Sequence, residues 1–110
     1  RRELVYETDV TRRPLTPRLA AIAAAVLPDL PMADIGTDHG FLPIELAGSG
    51  RVPVAFACDK RARPLEQTRV NIENAKVTDR VEARLGDGLA PVQGERLGTV
   101  TIAGMGSPAI

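Results

Sequence analysis

The sequence has no tryptophan, one tyrosine, two phenylalanines and one cysteine, Cys58. With aromatics at 3% of residues, the core has to be built from alanine, valine, leucine and isoleucine. A lone cysteine excludes an internal disulfide and points to a reducing, cytoplasmic setting. The 14 basic and 14 acidic residues cancel. The strongly basic balance of a dedicated DNA- or RNA-binding module is therefore missing, although an enzyme could still meet RNA through a local patch. No apolar run approaches the roughly 20 residues that a membrane-spanning helix needs. The opening Arg1-Arg2-Glu3 shows no signal peptide. His39 is the only histidine, and with Cys58 standing alone no metal-ligand set is within reach. Repeats, linkers and low-complexity tracts are absent too. The 110 residues, 44% apolar and 25% charged, fit a single soluble domain.

What is present is an alternation of two periodicities. Residues 1–14 are polar and arginine-bearing and read as an arm, with a short strand near Leu4-Val5-Tyr6. Thr16-Pro17 is a helix start, a hydroxyl cap followed by proline at the first helical position. Leu15, Leu19, Ile22 and Val26 then recur at helical spacing, widened by Ala23 and Leu27, and the helix ends before Pro28. Residues 31–35 form a short buried strand. Leu42 to Ala47 begin a second helix, which Gly48 and Gly50 terminate. Val52 to Cys58 is a near-continuous apolar run, as in a strand covered on both faces. Pro64 opens a third helix whose shared face is Ala62, Leu65, Ile72 and Ala75. Val81, Ala83 and Leu85 alternate in a third strand ending at Gly86-Asp87-Gly88, and residues 99–103 form a fourth. Strands alternating with helices imply an α/β fold with a parallel sheet, and right-handed crossovers place the strands in the order 3-2-1-4. That is the first half of a doubly wound sheet. The fourth strand would leave an open edge, so the natural protein is expected to continue past Ile110.

The turn after the first strand reads Asp34-Ile35-Gly36-Thr37-Asp38-His39-Gly40. A glycine-bearing turn between a strand and a helix start is where a nucleotide-like cofactor can lie. The dinucleotide fingerprint G-x-G-x-x-G would want glycine at position 38, since a pyrophosphate needs the space and repels a carboxylate. A ligand with an ammonium and a sulfonium tolerates Asp38, so the turn leans toward S-adenosylmethionine (SAM) and away from NAD. Asp38, Asp59 and Asp87 all fall at or just past strand carboxyl ends, the ligand edge of open α/β sheets. Asp59 lies 19 residues past Gly40, a distance that suits a carboxylate on both ribose hydroxyls; the alternative is a plain acid closing a strand. Asp87 can accept from an adenine amino group or simply form a Gly-Asp-Gly turn. Asp34 orients the turn and the ligand ammonium through hydrogen bonds. His39 is either a general base or a turn histidine. Lys60, Arg61 and Arg63 could hold a 2′-phosphate in an NADP enzyme but read better as a solvated helix start. Arg12, Arg13 and Arg18 could touch an RNA backbone or be solvated. Gly104-Met105-Gly106 lets a flat substrate approach the cofactor. The Asn/Asp-Pro-Pro-Tyr/Phe signature of amino-methylating enzymes on DNA is missing.

Three segments together, MADIGTDHGFLPIEL (32–46), RLGDGL (84–89) and TIAGMG (101–106), resemble the bacterial tRNA (adenine(22)-N1)-methyltransferase family. Leu15-Thr16-Pro17-Arg18-Leu19 looks like its opening helix, and the resemblance covers about residues 15–110. It implies a Rossmann-like class I methyltransferase domain over 15–110 that uses SAM. It also implies a C-terminal helical, coiled-coil-like domain beyond, and transfer of a methyl group to N1 of an adenine in tRNA. The resemblance puts the family's cofactor turn on Gly36 and Gly40, its ribose acid on Asp59 and its adenine-side acid on Asp87; Asp34, Thr37, Lys60, Gly88, Ala103 and Gly104 are expected to join them at the cofactor. The expected substrate side is Arg18, His39, Met105 and Gly106. Asp38 is assigned the catalytic role, accepting a hydrogen bond from the exocyclic amino group as the ring becomes cationic. This chain departs from the family in having Gly106-Ser107-Pro108 where Gly-Met-Gly-Gly is common, and Gly40 where alanine is usual. The other readings are a class I methyltransferase with a different substrate, a NAD-type Rossmann oxidoreductase fragment, and a SAM-binding module without catalysis.

Overall fold

The structure, a computed structural model, describes residues 15–102. The expected strand near Leu4-Val5-Tyr6, Arg12, Arg13, and the site residues Ala103, Gly104, Met105 and Gly106 lie outside that range. The described order is α1 (Pro17–Ala25), β1 (Met32–Ile35), α2 (Phe41–Gly48), β2 (Ala55–Asp59), α3 (Ala62–Asn74), β3 (Val81–Leu85), a 3₁₀ turn (Ala90–Val92) and β4 (Thr99–Thr101). All pairings are parallel and the strand order is β3-β2-β1-β4, as the alternation predicts.

The caps explain the helix starts. The Thr16 hydroxyl accepts from the Leu19 amide at 3.2 Å, with Pro17 in the first position. At its other end α1 stops at Ala25, earlier than the hydrophobic stripe suggests, and Leu27 is left exposed. Arg51 then takes over the orphan carbonyls of this end. Its guanidinium donates to Val26 O at 2.6 and 3.0 Å and to Ala24 O at 3.0 Å. Strand β2 begins only at Ala55, because Pro53 offers no N–H to a ladder. In α3 the buried face is Leu65, Thr68 and Ile72; Ala62, expected on that stripe, sits exposed in the first turn.

Period-two alternation sorts the strand residues between two cores. On one face Met32, Ala55, Ala57 and Val81 pack with Leu42, Ile44 and Leu46 of α2 and Ile72 of α3. On the other, Ala33, Ile35, Phe56 and Cys58 meet Val92, Leu97 and Ile102. Among the described residues all three helices lie with the first core; the second is covered by the segment leading to β4. The Arg84 guanidinium also sits 4.3 Å above the Phe56 ring. Burial pushes the Cys58 thiol up to about 11, with Arg84 opposing, so Cys58 is a packed apolar residue and not a nucleophile. The carboxyl ends of β1, β2 and β3 thus open together on one edge, beside the reversal of strand order between β1 and β4.

Candidate active site

The loop after β1 is fixed by side chains from three other elements. Gly36 (φ 69°), Asp38 (φ 65°) and Gly40 (φ 78°) are all left-handed. Glycine adopts this freely, while for aspartate it carries strain of order 1 kcal/mol. The strain at Asp38 is held from both sides. Its N–H donates to Asp59 Oδ2 at 3.1 Å, and its carbonyl accepts from the Thr68 hydroxyl at 2.8 Å. Asn71 Nδ2 donates to the next carbonyl, that of His39, at 2.8 Å. The Thr37 amide reaches across to Cys58 O at 2.9 Å. Gly40 packs so closely on α3 that an added Cβ would stand 2.7 Å from Thr68 Cγ2. Glycine is required there by both space and dihedral.

Asp34, 1% exposed, receives the hydroxyls of Thr37 (2.9 Å, on Oδ2) and Thr101 (2.6 Å, on Oδ1). It ties the turn to both β1 and β4. The Asp38 carboxylate stays 43% exposed, with His39 Nδ1 3.1 Å from Oδ2 and Arg61 Nη2 3.7 Å from Oδ1. The half-exposed His39 ring stacks on Phe41 at 5.3 Å between centroids, 16° from parallel. Asp59 is 2% exposed and accepts three N–H groups: Asp38 N on Oδ2, and Arg61 N (3.0 Å) and Nε (3.2 Å) on Oδ1. Burial pushes its carboxyl up, but the hydrogen bonds from Arg61 and Asp38 together outweigh burial and hold it below the usual carboxylate range.

Two depressions and a recess open around this turn. A cleft of about 400 Å³ is lined by Ile35, Gly36, Asp59, Lys60, Arg61, Gly86, Asp87 and Gly88. Five residues expected at the cofactor (Gly36, Asp59, Lys60, Asp87, Gly88) therefore converge there, from loops after three different strands. An added Cβ at Gly88 would meet nothing within 4 Å, so this wall is open. A recess of about 210 Å³ on the α1 side gathers Arg18, Asp34, Thr37, Asp38 and His39 beside Phe41 and Leu42. The Asp38 carboxylate thus belongs to the neighbouring recess and not to the main cleft. Gly40 lines neither and acts through its packing on α3. A wider depression of about 710 Å³ runs from Asp38 and His39 over Arg61, Arg63, Gln67 and Val70. Sequence reasoning missed Thr68 and Thr101, whose hydroxyls brace the turn. It also treated Arg61 as solvated, whereas its side chain binds a buried carboxylate. Only Thr68 left a signal, three residues past Leu65 on the buried stripe. No group of three or more His, Cys, Asp or Glu among the described residues could hold a metal ion.

Comparison with known proteins agrees with this geometry. Residues 15–110 match the family model described as a methyltransferase domain. The tRNA (adenine(22)-N(1))-methyltransferase of Bacillus subtilis is 30% identical over 96 residues, covering 87% of this chain and 40% of that protein. The release factor glutamine methyltransferase of Thermosynechococcus vestitus is 33% identical over 96 residues, covering 81% of this chain and 33% of that protein. Among solved structures, M. capricolum TrmK in complex with the cofactor product S-adenosyl-homocysteine (SAH) superposes with a TM-score of 0.71 at 33% identity. That match covers 77% of this chain and 38% of TrmK. The chain thus spans about 40% of the length of the first of these relatives. Its parallel 3-2-1-4 sheet is the Rossmann-like class I fold, and the chain belongs to the methyltransferase-domain family.

Proposed function

We propose that these residues form the cofactor-binding part of a SAM-dependent methyltransferase acting on N1 of an adenine in tRNA. The observation that carries the reading is the convergence of Gly36, Asp59, Asp87 and Gly88 on one cleft at the strand carboxyl ends. Its donor set fits an adenosyl ligand. A low-lying buried carboxylate suits a ribose diol, and an exposed acid beside an open glycine wall suits an adenine edge. Asp38 in the fingerprint's glycine slot speaks against a NAD site. Asp59 would hold the ribose, and Asp87 and Gly88 would flank the adenine. Gly36 would let the ligand chain pass toward the recess of Asp34 and Thr37. When bound, SAM supplies an already activated methyl group.

The remaining task for the protein is alignment of the acceptor nitrogen, and orientation of this kind can contribute on the order of 7–11 kcal/mol. Asp38 faces the recess side with a partly exposed carboxylate. There it can accept a hydrogen bond from the exocyclic amino group and favour the positive charge that develops on the ring. His39, Arg18, Met105 and Gly106 complete the substrate side in this reading, and Ala103 and Gly104 the cofactor side. Residues 15–110 would be the first part of the catalytic domain, with 1–14 an arm. The tRNA substrate rests on the Bacillus subtilis relative. The glutamine methyltransferase relative marks the competing substrate class. A cytoplasmic location follows from that substrate, and no described helix is long and apolar enough to cross a membrane.

The full-length protein, incubated with labelled SAM and bulk bacterial tRNA, should produce 1-methyladenosine on nucleoside analysis. Asp38→Ala should bind SAH normally and lose most turnover. Label in a different nucleoside, or in protein only, would overturn the substrate. Near-normal turnover of Asp38→Ala would overturn its role.

A further inference from the structure

The structure assigns Arg61 a positioning role: its side chain occupies a ribose-diol position on Asp59 and passes to Asp38 when a ribosyl ligand fills the 400 Å³ cleft. The inference rests on the reading of that cleft as the cofactor site and adds a moving part to it.

Acceptor capacity makes the argument. A carboxylate offers about four lone-pair positions. In the structure three are taken, by Asp38 N, Arg61 N and Arg61 Nε. A cis-diol brings two O–H donors, so one present donor must leave. The two amides are fixed by the turn and by the start of α3. The Arg61 side chain is the one that can go, since it is 58% exposed while the carboxylate it holds is 2% exposed. A released guanidinium remains well solvated on its exposed side. It also has a second anion at hand, since Nη2 already stands 3.7 Å from Asp38 Oδ1. Arg61 is the residue shared by the linings of the 400 Å³ cleft and the 710 Å³ depression that includes Asp38 and His39. Filling the first would therefore shift the guanidinium from Asp59 toward Asp38 in the second. The initial contact with Asp59 acts as a competitor that only a ligand with hydroxyls displaces.

Calorimetric titration of the full-length protein tests this, with SAH, adenosine and 2′,3′-dideoxyadenosine as probes on wild type, Arg61→Ala and Arg61→Lys. Arg61→Ala should bind SAH and adenosine about two- to fivefold more tightly, the fold-change of one weak ion pair removed. Dideoxyadenosine should bind both proteins alike, and Arg61→Lys should fall between wild type and Arg61→Ala. Weaker or unchanged SAH binding by Arg61→Ala, or an equal gain for the dideoxy probe, would overturn the exchange while leaving the cofactor site standing. An absence of SAH binding by wild type would remove the cofactor reading and this inference together.

Discussion

Asp38 and Asp59 show how one chemical group can serve opposite ends. The Asp59 carboxylate is buried and accepts three N–H donors, so its charge belongs to the fold before any ligand arrives. The Asp38 carboxylate is half exposed, and the left-handed backbone that projects it is held by Asp59 and Thr68. Replacing Asp38 with glycine keeps that backbone at lower cost than alanine does. Asp38→Gly is therefore expected to be about 1 kcal/mol more stable than Asp38→Ala in denaturant unfolding, with both inactive. Equal stabilities would mean that the turn relaxes. The depressed Asp59 carboxyl has a pH consequence with a definite sign. Its stabilising contribution is complete above the ordinary value of 3.8 and is lost as the pH falls through its lower folded value. Melting temperatures measured on acidification below about pH 4 should therefore fall more steeply for wild type than for Asp59→Asn. Parallel curves would mean that Asp59 titrates normally in the folded protein.

Among the elements, the turn between β1 and α2 depends most on its neighbours. Gly40 touches Thr68 of α3, and a methyl group there meets Thr68 Cγ2 at 2.7 Å on a backbone of positive φ. Gly40→Ala should therefore destabilise the protein by about 1–3 kcal/mol in chemical unfolding, and weaken SAH binding as well, because the turn that carries Gly36 moves with it. A stability within a few tenths of a kcal/mol of wild type would show that α3 gives way without cost. The order of elements, the sheet order and the glycine-bearing turn were legible in the sequence, because strand and helix periodicities alternate cleanly and Thr16-Pro17 marks a start. The acids Asp59 and Asp87 were legible as a pair through their places at strand ends. Element ends were less so: Pro53 delays β2, and Arg51, 26 residues from Ala25, finishes α1. Such long-range donors have no local signature. For the same reason the bracing by Thr68 and Thr101 and the attachment of Arg61 to Asp59 emerge only in three dimensions.

For the whole molecule, the sheet sets which loops can meet. Parallel strands bring the loops after β1, β2 and β3 to one edge, and residues as distant in sequence as Gly36 and Gly88 line a single cleft. The helices cover one core while the second, around Phe56 and Cys58, is closed in the described residues by Val92, Leu97 and Arg84. On the reading proposed above, the acid-lined edge of this sheet is the seat of an adenosyl ligand. A crystal structure of the full-length protein with SAH tests it most directly. The ribose hydroxyls should lie within hydrogen-bond distance of both Asp59 oxygens, with the adenine beside Asp87 and Gly88 and the Arg61 side chain turned toward Asp38. An adenosyl group bound elsewhere, with Asp59 still carrying only Arg61 and Asp38, would contradict it.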